Sequence, residues 1–317
     1  VPNAGVLSVR IGRLQVEQSW RQAKSIFMTL ISAPLFWLVA FFIIPMGIVW
    51  LYSFGENSGL IDIAFTGTWS NYAHAFDPLY LGIFAKSILV AVVTTFFCLV
   101  LGFPVAMAIT FAPDKAKSWL LLLIMLPFWT NLLVRTYALI AVLRTNGYVN
   151  MTYQFIWERT SGLMTLLGMQ PLGDFHPAIL LYNNFAVVFG LVFVNLPFMV
   201  LPLYSTLDRM DRSLLEASLD LGAGHIRTVW NVMVPLAGPG IVSGILITFI
   251  PSLGAYLTPD LLGGPDSQMI ANVIESQFKR ANNWPFGAAL SFILVYMTFI
   301  GVALQGVIES RNKRRQA

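Results

Sequence analysis

Charge is what this sequence has least of. Asp, Glu, Lys and Arg make up 11% of its 317 residues, where soluble domains carry about 25%. A chain of this length folded in water needs a far more charged surface, so an ordinary soluble globular fold is excluded. Cysteine is scarcer still. Cys98 stands alone inside an apolar run, which excludes an intrachain disulfide and any Cys-based metal spacing. The histidines His74, His176 and His225 are scattered along the chain. They suggest no metal site and no catalytic cluster, and no cofactor is expected.

What is present is apolar. Hydrophobic residues make up 57% of the chain, and the mean hydropathy is +0.72. The solvent for that excess is lipid. A helix needs about 20 apolar residues to cross a hydrocarbon core of about 30 Å, and unpaired backbone groups are not tolerated there. Six nearly charge-free stretches meet the requirement. They are bracketed by Lys24 and Glu56, Lys86 and Asp114, Lys117 and Arg135, His176 and Asp208, Arg227 and Asp260, and Arg280 and Glu309. The third is expected to continue past Arg135 to Leu143. The reading is an all-α polytopic membrane protein with six transmembrane helices. Residues 1–29 form a tail, 30–51 the first span, 84–308 the main transmembrane domain and 309–317 a basic tail. The first span is too long for a signal-peptide core and lacks a small-residue cleavage site, so it is expected to stay uncleaved.

Basic residues set the orientation. With the N-terminus inside, the inner segments hold Arg10, Arg13, Arg21, Lys24, Lys115, Lys117, Arg209, Arg212, Arg227, Arg311, Lys313, Arg314 and Arg315. The outer segments hold only Lys86, Arg144, Arg159, Lys279 and Arg280. The positive-inside rule therefore places both termini in the cytoplasm. The pI of 9.2 reflects this topology, and no nucleic-acid partner is expected. The outer loops carry an acidic excess, which either mirrors the same bias or draws in a cationic ligand.

Three outer loops carry their own structure. Residues 52–82 are rich in aromatics, which favour a membrane interface. Met151 to Leu167 is expected to hold a short interfacial helix. Ser267 to Arg280 places Met269, Ile270, Val273, Ile274 and Phe278 on one face of an amphipathic helix expected to lie on the outer surface.

The longest inner loop, residues 208–227, lies between the fourth and fifth spans. Ser213 and Glu216 have capping-box spacing, Gly222 is a left-handed helix stop and Gly224 permits a second turn. A short helix, a sharp break and a second helical start are expected. A short cytosolic helix with small and apolar residues outward fits a groove on another protein.

Glu216-Ala217-Ser218-Leu219-Asp220-Leu221-Gly222-Ala223, followed by Val234-Pro235 and Pro239-Gly240, resembles the EAA loop of ABC importer permeases. Ser218 and Val234 depart from the usual Ala and Leu. Leu126-Pro127-Phe128-Trp129, Leu133-Val134-Arg135-Thr136-Tyr137-Ala138, Asn195-Leu196-Pro197-Phe198 and Pro259-Asp260-Leu261-Leu262-Gly263-Gly264-Pro265 are similar to segments of spermidine/putrescine permeases. The resemblance implies the type I ABC importer permease fold and a bacterial inner-membrane location. It implies that Glu216, Ala217, Leu221, Gly222 and Ala223 couple to a cytoplasmic ATPase dimer. It further implies a second, non-identical permease subunit and a periplasmic substrate-binding protein. No phosphate-binding G-x-x-x-x-G-K-[ST] exists in this chain, so ATP hydrolysis is assigned to the separate subunit.

A polyamine path needs carboxylates and aromatic faces. Candidates are Trp129, Asn131, Tyr137, Tyr182, Asn184, Tyr256 and Asp260. Arg135 lies within the third span, where a charge is costly, and is read as pairing with a carboxylate or capping carbonyls. Pro127, Pro197, Pro202, Pro235, Pro239 and Pro251 are expected to interrupt helices, with Pro235, Pro239 and Pro251 as hinges behind the inner loop. Related permeases for opines, phosphonates and iron share parts of the pattern. An ion-coupled secondary transporter would need a carboxylate or histidine relay within the spans, and the sequence offers none.

Overall fold

The computed structural model describes residues 24–58, 63–170 and 173–316. Arg10, Arg13 and Arg21, with most of the expected N-terminal tail, lie outside the described residues. The first span is α1 (Lys24–Leu38), a π-helical turn over Val39–Ile43, and α2 (Ile44–Tyr52). The π turn ends two residues before Pro45. Proline has no N–H to give the carbonyl four residues back, so the ladder shifts register upstream of it. None of the apolar window of this span is buried within the chain. At its outer end Trp50 Nε1 donates to the Tyr296 hydroxyl at 2.9 Å.

A small hairpin follows, in which β1 (Glu56–Asn57) pairs antiparallel with β2 (Ile63–Ala64). The sequence reading contained no strand here. Beyond it, α3 (Ser70–Ala75) lies beside a cluster of Phe54, Trp69 and Tyr72 with ring centroids 5.1–5.5 Å apart.

Three helices make the centre: α4 (Pro78–Thr110), α8 (Asn184–Asp208) and α12 (Gly238–Leu253). They pack on one another more extensively than any other elements do. Met199 of α8 is fully buried among them. A Cβ on Gly102 of α4 would lie 3.0 Å from its Cγ, and one on Gly244 of α12 would lie 2.6 Å from its Sδ. The missing side chains are what let the backbones close on this residue. Cys98, Leu203 and Ala237 complete the same core.

The third span differs from the sequence reading. It is α5 (Asp114–Trp129), then a break, then α6 (Leu132–Leu143) and α7 (Tyr148–Leu166), and the two halves are bent by 94°. No straight helix runs from Lys117 to Leu143. Thr130 Oγ1 donates to the Pro127 carbonyl at 2.7 Å, and Asn131 Oδ1 accepts the Leu133 N–H at 2.8 Å. One helix is thereby ended and the next capped within three residues.

The fifth span is also broken. It comprises α10 (His225–Thr228), a π turn over Val229–Met233, α11 (Val234–Leu236) and α12, with a 70° bend. The bend falls between Pro235 and Pro239. Pro251 lies inside α12, and Pro197 and Pro202 lie inside an unbroken α8. None of the three interrupts its helix: α8 is enclosed by α4 and α12, and Pro251 stands in the last turn of α12. Among the described residues four helices are long and apolar enough to cross a membrane, and up to six spans result if each bent pair counts as one.

At the outer end, α13 (Leu257–Leu262) and α14 (Ile270–Lys279) precede the last helix, α15 (Trp284–Gln316). Asp260 therefore sits in a separate short helix, not at the end of the fifth span. The amphipathic α14 is also less superficial than expected. Ile270 is fully buried with Phe84, Phe286 and Leu290, and the Ile270 N–H donates to Ser87 Oγ of α4 at 2.8 Å.

Candidate functional site: the 208–227 loop and a polar cavity

The inner loop folds as α9 (Ser213–Asp220), a turn, and then α10. The capping box expected from Ser213 and Glu216 does not form. The helix begins one residue earlier than that box requires, with Arg212 at the cap position, and Asp211 Oδ1 accepts the Ser213 N–H at 3.0 Å. That bond, with the Ser213 hydroxyl, holds the Asp211 carboxyl below its ordinary range. The C-terminal stop is at Gly222, where φ is +83°. The Ala223 N–H donates to the Ser218 carbonyl at 3.1 Å and the Gly222 N–H to Leu219 at 2.9 Å, the two bonds of a Schellman motif. Ser218 and Thr228 share a hydroxyl hydrogen bond of 3.0 Å, which locks α9 against α10.

The two faces of α9 see different surroundings. Arg212, Leu215, Glu216 and Leu219, four positions on one helical face, line a cleft of about 460 Å3 against Met107 and Phe111 at the inner end of α4. Glu216 thus looks toward the bundle. The other face is open: Leu214 and Ala217 are exposed, and Leu221 is 89% exposed. Ile226 and Trp230 extend this surface at 77% and 67% exposure. Leu221 stands on the capped turn, Ile226 in α10 and Trp230 in the π turn of the fifth span, so the apolar exposure runs from the loop into the span. Behind the loop, Lys117 Nζ meets Asp208 Oδ1 at 2.8 Å and ties α5 to α8.

The outer candidates separate into two groups. Tyr182 and Asp260 line one cavity of about 250 Å3, together with Gln268 and Asn272. Tyr182 holds a left-handed φ of 60°. Its carbonyl would lie 2.4 Å from a Cβ on Gly264, so only glycine lets the two backbones meet. Tyr256 is the cap residue of α13 and is 45% exposed. Its carbonyl accepts the Asp260 N–H at 3.0 Å and Asn272 Nδ2 at 2.8 Å. Trp129, Asn131 and Tyr137 lie at the α5–α6 break and on α6, and they do not line this cavity. Asn184 is the first residue of α8, beside Asn183, whose side chain accepts the Ala186 N–H at 2.9 Å. Gln268 and Asn272 were absent from the sequence candidates, since neither motif nor spacing marks them.

Arg135 departs from its expected role. Its Nε and Nη1 are buried and have no hydrogen-bond partner among the described residues, so neither carboxylate pairing nor carbonyl capping is seen within the chain. Among the described residues no group of His, Cys, Asp and Glu could hold a metal ion. What the geometry provides is a capped loop with exposed apolar side chains at one end and a polar cavity containing Asp260 at the other.

Known proteins share this arrangement. Residues 80–314 match the family described as binding-protein-dependent transport system inner membrane component. The spermidine/putrescine transport system permease protein PotB of Escherichia coli is 38% identical over 258 residues, covering 81% of this chain and 88% of that protein. The protein of the same name from Haemophilus influenzae is 37% identical, covering 82% and 86%. Among solved structures, a bacterial ABC transporter involved in the import of the acidic polysaccharide alginate superposes with a TM-score of 0.67 at 12% identity, covering 93% of this chain and 99% of that one. At that identity the likeness establishes the fold, that of a type I ABC importer permease. The helical chain with bent spans and a capped inner loop therefore belongs to the binding-protein-dependent transport system inner membrane components, as a multi-pass permease subunit.

Proposed function

We propose that this permease forms half of a polyamine import path driven by a separate cytoplasmic ATPase. The observation that carries the substrate class is its 38% identity, across 81% of the chain, to a protein named for spermidine and putrescine transport. Its own residues suit an ammonium ligand. Asp260 offers an exposed carboxylate, and Tyr182 and Tyr256 offer aromatic faces near it. Trp129, Asn131, Tyr137 and Asn184 are assigned to the remainder of the path. The partner permease, a different chain, supplies the other half, and a periplasmic binding protein delivers substrate to the outer end.

The inner face is assigned to the ATPase. Ala217, Leu221, Gly222 and Ala223 seat in a groove of one ATPase protomer, and Glu216 braces α9 from the cleft side. ATP binding closes the ATPase dimer and draws the two coupling helices together. The hydroxyl bond from Ser218 to Thr228 passes that motion to the π turn and to the 70° bend at Pro235 and Pro239. Pro251 is assigned to the outer part of the same helix. Both termini are placed in the cytoplasm, on the side of the coupling loop.

The test is reconstitution of the full complex in proteoliposomes. Uptake of radiolabelled putrescine or spermidine is expected only with ATP inside and binding protein outside. Asp260→Asn is expected to lower uptake about tenfold, the scale of a lost charge-assisted hydrogen bond. Uptake driven by an ion gradient without ATP, or preference for an anionic solute, overturns the proposal.

A further inference from the structure

We infer that Asn272 is a positioning residue that fixes the Tyr256–Asp260 segment against the outer end of the bundle. This rests on the reading of Tyr256 and Asp260 as substrate contacts. The segment follows the end of α12, where Gly254 and Ala255 break the helix, so its placement needs outside ties. Ser252 supplies the first: its hydroxyl accepts Asn195 Nδ2 of α8 at 3.1 Å. The far end is seated by Thr258 and Leu262, which occupy the space left open at Gly190 of α8. Between these ties Tyr256 is 45% exposed.

Its carbonyl is the point of control. It starts α13 by accepting the Asp260 N–H, and it also accepts Asn272 Nδ2 at 2.8 Å. One amide from α14 thus holds the backbone group that orients the helix carrying Asp260. Asn272 is itself fixed. It is 9% exposed, and its Oδ1 accepts the Met269 N–H at 3.1 Å. The α14 terminus is pinned to α4 through Ile270 and Ser87, whose hydroxyl donates to the Ile83 carbonyl at 2.7 Å. The chain of bonds runs from α4 through α14 to Tyr256 without a mobile side chain in it. A donor is required at position 272, because the group it meets is a carbonyl.

The alternative is that Asn272 merely caps α14. The two roles use different atoms, so two substitutions separate them. Asn272→Asp keeps an acceptor for the Met269 N–H, keeps the shape and removes the donor. Asn272→Ala removes both. At about pH 8.5, far above the ordinary carboxyl range, positioning requires both variants to fail, whereas capping requires the aspartate to behave as wild type. In the reconstituted complex Asn272→Asp is expected to lower putrescine uptake at saturating binding protein at least about fivefold, the scale of one buried hydrogen bond. Amide hydrogen exchange over residues 256–262 is expected to quicken by a similar factor. Wild-type uptake and exchange in Asn272→Asp, with loss confined to Asn272→Ala, overturns the inference. Quickened exchange with unchanged putrescine uptake sustains the tie and overturns the substrate reading of Tyr256 and Asp260 instead.

Discussion

Met199 shows how single residues hold the centre together. Its side chain is wedged between Gly102 and Gly244, on helices that would not otherwise approach so closely. Gly244→Val drives a branched side chain into the Met199 sulfur and is expected to cost about 1–3 kcal/mol through overpacking. Gly238→Ala, whose Cβ meets nothing within 4 Å, serves as the control. Thermal unfolding of the purified complex checks both, with a lowered midpoint expected for the valine alone. Met199→Ala leaves a void instead, and large-to-small changes of this kind cost about 2–5 kcal/mol. That Gly102 and Gly244 leave gaps in apolar runs is visible in the sequence. Their partner is not, because which side chain fills a glycine gap is decided by helix crossing and not by spacing along one helix.

At the scale of elements, α9 is defined by its two ends. Gly222 has a φ of +83°, which a β-branched residue adopts only at a cost of about 1–2 kcal/mol. Gly222→Val is expected to disorder the turn that links α9 to α10. Uptake per ATP hydrolysed then falls, while the complex still assembles. Measuring both rates in proteoliposomes checks this, and an unchanged ratio counts against a coupling role for the turn. At the other end, the Ser213 N–H holds the Asp211 carboxyl below its ordinary pKa. A depressed carboxyl contributes its stabilisation above the ordinary value and loses it as pH falls through the depressed one. The cap therefore persists throughout the neutral range and is lost only in strong acid. Asp211→Asn is expected to abolish that dependence, as read by exchange of the residue 213–216 amides corrected for intrinsic rates.

These ends also show what a sequence reveals. Gly222 was legible because a left-handed stop has few residue choices. The N-terminus was misplaced by one residue because the Asp211 carboxylate, two residues before Ser213, takes the Ser213 N–H and draws Ser213 into the first helical turn. Pro127 hinted at a break, but the 94° bend also involves the cap that Asn131 makes for α6, and Asn131 was read only as a path residue. Pro197 and Pro202 gave the same signal and broke nothing, since neighbouring helices enclose α8. The bond from Asn272 to Tyr256 spans sixteen residues and two elements; no periodicity encodes it.

Across the whole molecule, hydropathy and charge were sufficient to find the spans, because lipid leaves helices as the only solution for long apolar runs. The same scale separates two surfaces of opposite use. The outer cavity collects polar groups around Asp260. The 208–227 loop leaves Leu221 and Ile226 exposed. The most direct measurement of this account places a photo-cross-linking amino acid at position 221 in the assembled importer, with position 203, where Leu203 is fully buried, as control. An adduct between position 221 and the nucleotide-hydrolysing subunit, absent at 203, is the expected result. Adducts confined to lipid, or none with that subunit, would contradict it.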